Sequence, residues 1–196
     1  MFDKLVEYFL KFPGIGPRQA KRFAYFLSSA DNEFVDELSK LIKETKNNVV
    51  QCVSCRRYFE NFRDEALNRC PICSSPNRDA TLLMVVEKNL DLDNIEKTGI
   101  YNGKYFILGS TLSLRNEKQS SLIIRELFNK AQKEKPAEVI LATSATLEGE
   151  NTARYIEKIL EPLPLKVTRL GRGLSTGTEL EYIDSETMSN ALKNRK

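Results

Sequence analysis

Cys52-Val53-Ser54-Cys55 and Cys70-Pro71-Ile72-Cys73 are the most specific chemical signal in this sequence. A Cys-x-x-Cys pair can close both thiolates on one ion. Two such pairs, here 14 residues apart, can complete a tetrahedral sulfur site. Thiolate sulfur suits Zn²⁺, and four protein ligands leave no position for water. The expected ion is therefore one structural Zn²⁺ on Cys52, Cys55, Cys70 and Cys73. The competing assignment is two separate redox pairs or free thiols. These are all the cysteines of the chain, and it has no histidine. Ser–His and Cys–His nucleophile pairs and His-ligated metals are thereby excluded. With the thiols on a metal, catalysis would fall to carboxylates, lysines, tyrosines and bound Mg²⁺.

A second group is basic. In Pro13-Gly14-Ile15-Gly16-Pro17-Arg18 the glycines permit the positive φ of a tight hairpin, and Pro17 suits the first turn of a helix. The free N–H groups of such a helix start can hold a phosphate. Lys11, Arg18, Lys21 and Arg22 flank the turn, and no acid interrupts the stretch from Lys11 to Arg22. Lys11, Gly14, Gly16, Arg18, Lys21 and Arg22 thus form a candidate DNA-backbone site. A dinucleotide site would need a preceding strand and a third glycine, and here a helical pattern precedes. The remaining alternative is a packing element with a solvated basic face.

A third group is acidic. Glu87 ends the apolar run Leu83–Val86, and Glu148 and Glu150 follow the run Val139–Ala142. Carboxylates at the C-terminal ends of strands lie where open α/β sheets bind ligands, so the three could hold Mg²⁺. Alternatively, Glu148 and Glu150 only favour the start of the next helix through its dipole. The lack of a paired Asp-x-Asp favours that second reading.

The elements that must position these groups follow from apolar spacing. Phe2, Leu5, Val6, Phe9 and Leu10 recur at helical intervals, as do Ala20, Phe23, Ala24 and Leu27, and then Phe34, Leu38, Leu41 and Ile42. Residues 1–51 are therefore expected to be helical. Residues 52–76 hold the cysteines and little periodicity, so a metal core would have to order them. In residues 77–170, strand-like runs at Leu82–Val86, Tyr105–Leu108, Val139–Ala142 and Lys166–Leu170 alternate with helical patterns such as Ile124, Leu127, Phe128, Ala131 and Ile156, Ile159, Leu160. That alternation predicts a mainly parallel sheet. Residues 171–196 open on a Gly-rich turn region and end in a short helix with a basic tail. The whole is an α+β chain of several parts. With 30 Lys and Arg against 27 acids the net charge is only +3, so any basic surface must be local. No signal peptide opens the sequence and no apolar run reaches the ~18 residues of a membrane span, so a cytoplasmic protein without a membrane partner is expected.

In this order, the pieces resemble the RecR family of bacterial recombination mediators across nearly the whole chain. The resemblance is carried by Phe12-Pro-Gly-Ile-Gly-Pro, both Cys-x-x-Cys pairs, Ile95-Glu-Lys-Thr-Gly-Ile-Tyr-Asn-Gly-Lys-Tyr, Val139-Ile-Leu-Ala-Thr, Leu147-Glu-Gly-Glu and Leu180-Glu-Tyr-Ile-Asp. It implies a helix-hairpin-helix DNA-binding region at 1–51, a Cys₄ zinc finger at 52–76, a Toprim domain at 77–170 and a Gly-rich C-terminal segment at 171–196. The chain departs from the family pattern at Ser144-Ala145, where Asn-Pro is usual, at Ser175, where proline is common, and in the loop Gly109–Arg115.

The resemblance also implies a role. RecR proteins are non-enzymatic mediators in the recombinational repair of DNA damage. With RecO and RecF they help load RecA at single-strand gaps, as ring-like homotetramers able to surround DNA. Arg18 and Arg22 match basic positions implicated in DNA contact, Glu87 matches the Toprim glutamate, and Glu148 and Glu150 fall in a loop that looks like a contact for RecO; Glu87, Glu148 and Glu150 are together expected to form a partner-binding acidic face. Two alternatives are a Mg²⁺-dependent Toprim enzyme acting on DNA strands and a pure scaffold without direct DNA contact. A site that reads phosphates should tolerate any sequence and weaken steeply with salt. The N-terminal apolar stripe around Phe2, Leu5 and Phe9 is a candidate for self-association, or equally for core.

Overall fold

A computed structural model of the protein describes residues 1–61, 68–109, 117–171 and 173–195, with residues 117–120 described by backbone alone. The described chain divides into two compact units. One spans Met1–Val50 and the short stretch beginning at Glu60. The other holds Gln51–Phe59 and the chain from Asn68 onward.

The first unit is built from α1 (Phe2–Phe9), α2 (Pro17–Ser29) and α3 (Asn32–Asn48). Val6, Ala20 and Ala24 are buried, and Phe2, Leu5, Phe9 and Ile15 pack around them. The small alanines let α1 and α2 approach closely. Asp31 caps α3 by accepting from the Phe34 N–H at 2.7 Å, yet α3 itself buries no residue. The helical region ends earlier than the spacing predicts. Val49–Gln51 form β1, paired with β2 (Tyr58–Glu60) in a two-stranded ribbon where the chain passes between the units. Consecutive valines favour that extended pairing over a further helical turn.

The second unit is a four-stranded parallel sheet in the order β4 (Gly103–Ile107), β3 (Asp79–Val86), β5 (Glu138–Ala142), β6 (Lys166–Arg169). The four strands fall where the apolar runs place them, with ends shifted by up to three residues. Alternation along β3 divides two cores. Leu83 and Val85 face α6 (Glu117–Glu134) and α7 (Leu147–Leu160), packing with Leu127, Ile156 and Leu160. Met84 and Val86 face the opposite side, with Leu92 of α5 (Asn89–Thr98) and all four cysteines. Covering both faces is what an all-parallel sheet requires, since its strands are apolar on each side. A short helix α4 (Pro71–Ser74) follows Cys70, and the C-terminal segment carries a 3-10 turn (Leu180–Tyr182) and α8 (Ser185–Lys193).

Candidate metal centre and nucleic-acid interface

Cys52, Cys55, Cys70 and Cys73 are all buried, and their sulfurs lie within 4.8 Å of one another. A tetrahedron of 2.3 Å Zn–S bonds has S–S edges of about 3.8 Å, so the cluster is of the right size for one ion. The Cys70 N–H donates to Cys52 Sγ at 3.3 Å and the Arg57 N–H to Cys55 Sγ at 3.5 Å. Such bonds stabilise thiolate charge. The four buried thiols are close enough to shift one another's titration. Hydrogen bonds from the Cys55, Cys70 and Cys73 thiols pull Cys52 well below the ordinary thiol value, while Cys55 is pushed up, first by Cys52. Cys70 is likewise drawn down, to about 7, and Cys73 is pushed up, so the four thiols perturb one another in opposite directions. Four buried, converging sulfurs at this spacing fit one divalent ion, which would hold all of them as thiolates. Among the described residues this is the one group of Cys, Asp or Glu ligands that converges on a single point.

The cysteine module is bonded into the sheet. β4 is an edge strand, and its outer side is occupied: the Ile107 N–H donates to Cys55 O at 2.9 Å, and Arg56 Nε donates to Ile107 O at 3.2 Å. Arg56 reaches that carbonyl from a left-handed backbone, φ +67°, and its guanidinium also pairs with Glu126 of α6. Arg57 pairs with Asp93 of α5 at 2.8 Å, and Lys130 of α6 donates to Ser54 Oγ at 2.9 Å. The basic side chains beside the first knuckle therefore serve internal attachment.

The string from Ile95 to Tyr105 is the second half of this attachment. Arg78 donates to both oxygens of Glu96, and the Tyr105 hydroxyl donates to Glu96 Oε1 at 2.7 Å. Arg78 holds the Glu96 carboxyl below its ordinary range, and burial pushes the Tyr105 phenol up. Lys104 Nζ donates to Cys73 O at 3.0 Å, tying β4 to the second knuckle. A side chain at Gly103 would meet the Tyr101 ring and Leu82, so that glycine is needed for close approach.

At the candidate DNA site, Gly14 takes φ +77°. The turn is closed by Phe12 N–H to Phe9 O and Ile15 N–H to Phe12 O. Gly16 is the N-cap of α2 and offers no side chain, Pro17 occupies the first turn, and no acid lies there. The start of α2 is thus open backbone with its positive dipole end uncovered. Arg18, Lys21 and Arg22 are exposed, and no ion-pair partner for them occurs among the described residues. Lys11 lies over the Tyr8 ring, 4.6 Å from its centroid. The structure therefore gathers Gly14, Gly16 and Arg18 at one hairpin, with Lys21 and Arg22 one turn along the helix.

The acidic group divides. The register Val86↔Ala142 sets the residue after β3 beside the loop after β5. Glu87 is there 1% exposed, accepting from the Ser144 N–H at 3.2 Å and the Ser144 hydroxyl at 2.7 Å. Its burial sets it apart from Glu148, its companion in the expected acidic face. Glu148 is exposed in the first turn of α7. Glu150 is half-buried and paired with Arg169 at 2.8 Å, and Arg169 also forks to Glu157. The three carboxylates do not converge as a metal site. Sequence reasoning missed Ser144, Gly149 and Arg169. Gly149 had a legible signal, because a glycine inside a helix is unfavourable and so suggests a close approach. A Cβ there would stand 2.0 Å from Ser144 O. The departure at loop residues 110–115 lies outside the described residues.

Comparison with known proteins agrees with this arrangement. Residues 2–46 match the family described as RecR, helix-hairpin-helix; residues 81–171 match the Toprim domain; residues 173–196 match RecR, C-terminal. Proteins named "Recombination protein RecR" are similar over nearly their full length. That of Dehalococcoides mccartyi is 42% identical over 99% of this chain and 93% of its own. That of Chloroherpeton thalassium is 39% identical over 98% and 95%, and that of Ureaplasma urealyticum 37% identical over 100% and 95%.

Proposed function

This chain belongs to the RecR family, and from that membership we propose that it is a DNA-binding mediator of recombinational repair rather than an enzyme acting on DNA strands. The observation that carries the reading is the uncapped, acid-free start of α2 at Gly16, flanked by exposed Arg18, Lys21 and Arg22. Backbone N–H groups and guanidinium forks suit phosphate oxygens and carry no base code, so binding is sequence-tolerant. Lys11 and Gly14 complete this surface.

The metal is one Zn²⁺, held by Cys52, Cys55, Cys70 and Cys73. It supplies folding energy to the module that covers β4 and takes no part in a reaction. Self-association into a homotetrameric clamp would bury the apolar side chains that α3 leaves exposed, among them Leu41 and Ile42. The exposed Glu148 and the neighbouring Glu150 form the contact for RecO. With RecO and RecF the clamp loads RecA at single-strand gaps in the cytoplasm.

The test is fluorescence anisotropy of labelled single- and double-stranded DNA over a salt series, wild type against the double variant Arg18→Ala, Arg22→Ala. Each lost phosphate contact should reduce the slope of log K against log salt by about 0.7–0.9. A slope unchanged in the variant would move the DNA surface elsewhere. No binding by the wild type even at low salt would favour the scaffold reading.

A further inference from the structure

The Toprim glutamate has an unusual setting. Glu87 follows the central strand β3, is 1% exposed, and has both carboxylate oxygens engaged by one residue, Ser144, through its N–H and its hydroxyl. Above Ser144 the loop turns back so tightly that its carbonyl oxygen would stand 2.0 Å from any Cβ at Gly149, and Glu87 Oε1 would stand 3.2 Å from the same atom. The carboxylate therefore lies against the first turn of α7, whose positive end favours negative charge. Thr146 caps that turn, accepting from the Gly149 N–H at 3.2 Å. Ser144, Thr146 and Gly149 fix the short loop from β5 to α7 at three points, and Glu87 is the point beneath. Glu148 is the exposed carboxylate this loop presents.

We propose that Glu87 is a positioning residue: by binding both polar groups of Ser144 it sets the loop that presents Glu148. The part that concerns Glu148 as a partner contact rests on the function proposed above; the part that concerns the loop does not. This role separates two uses of a glutamate at the same place in the sheet. A cation ligand must be charged, so glutamine is as damaging as alanine. An anchor needs hydrogen bonding, and a glutamine amide can accept from the Ser144 N–H and donate to its hydroxyl oxygen.

The experiment is hydrogen–deuterium exchange of the full-length protein, read at residues 143–150, for wild type, Glu87→Gln, Glu87→Ala and Ser144→Ala, each with and without Mg²⁺. A second arm measures binding to immobilised RecO of the same organism. The anchor predicts near wild-type protection in Glu87→Gln, and roughly tenfold faster exchange confined to the loop in Glu87→Ala, the size expected when a buried hydrogen-bonded group is left unmade. Ser144→Ala keeps the glutamate and serves if Glu87→Ala does not fold; it too should speed exchange. Unchanged protection in both alanine variants would overturn the proposal. So would Mg²⁺-dependent protection of the wild type that Glu87→Gln abolishes. If the loop responds as expected while RecO binds all variants equally, the anchor stands and the partner contact at Glu148 falls.

Discussion

At Gly14 the backbone takes φ +77°, whereas at Gly16 φ is −90° with no atom within 4 Å of a Cβ. The two glycines of one hairpin are thus present for different reasons, and alanine separates them. Gly14→Ala should lower stability by ~1 kcal/mol, because only glycine adopts that conformation without strain. Gly16→Ala should cost roughly 0.5 kcal/mol, the difference between glycine and alanine as an N-cap. It should nevertheless weaken DNA binding, since in the proposed DNA site its methyl group would stand in the open space left for a phosphate. Thermal unfolding and anisotropy on the same two variants test this. Equal losses of affinity and stability in Gly16→Ala would remove the helix start from the DNA surface. Spacing alone pointed to this hairpin, because Gly-x-Gly before a proline and a run of bases is a local pattern. The division of labour between its glycines was not legible, because it depends on φ and on empty space.

Among the elements, β4 and the cysteine module depend on each other. A parallel sheet leaves an unpaired edge, and here Cys55 O and Arg56 Nε occupy the edge positions of Ile107. With the proposed metal on the four cysteines, chelator treatment, or Cys70→Ser, should lower the melting temperature by several degrees and raise aggregation, as the module loosens and the edge is freed. Light scattering during the melt reads both effects. An unchanged melt in the chelated protein would count against a structural metal. The Arg78–Glu96–Tyr105 cluster adds a pH dependence. Arg78 lowers the pKa of Glu96, so the stability this pair contributes is full above the ordinary carboxylate value, about 4.3, and is lost as pH falls through the lowered one. Arg78→Leu should therefore be less stable than wild type at neutral pH and lose less on acidification, as read from urea midpoints across pH 3–7.

For the molecule as a whole, among the described residues the first unit buries only Val6, Ala20 and Ala24, while Phe26, Leu41 and Ile42 stay exposed. A described core so small is marginal for three helices, and the proposed self-association would cover the exposed apolar side chains. Ile42→Glu places a charge on that apolar face with no effect on a buried contact, because α3 buries nothing. With the proposed self-association on this face, sedimentation velocity should show a smaller species for Ile42→Glu than for wild type. The same sedimentation coefficient for both would place the self-association surface elsewhere. No helix among the described residues is long and apolar enough to cross a membrane.

Much of this protein was determined by sequence alone. Cysteine spacing, helical and strand-like apolar runs and the glycine-proline hairpin are short-range patterns, and each fixes a local geometry whatever the rest of the chain does. They gave the helical N-terminus, the clustered thiols and the parallel sheet. Tertiary structure decided what each charge faces. Glu87, Glu148 and Glu150 look alike in sequence, yet one is enclosed under Ser144, one is exposed and one is paired with Arg169. Arg56 and Arg57 stand side by side in sequence, yet one binds Glu126 and the other Asp93. The reason is physical: the energy of a charge depends on burial and on partners brought from elsewhere in the chain, and the register of β3 on β5 and the folding of the cysteine module onto β4 supply those partners.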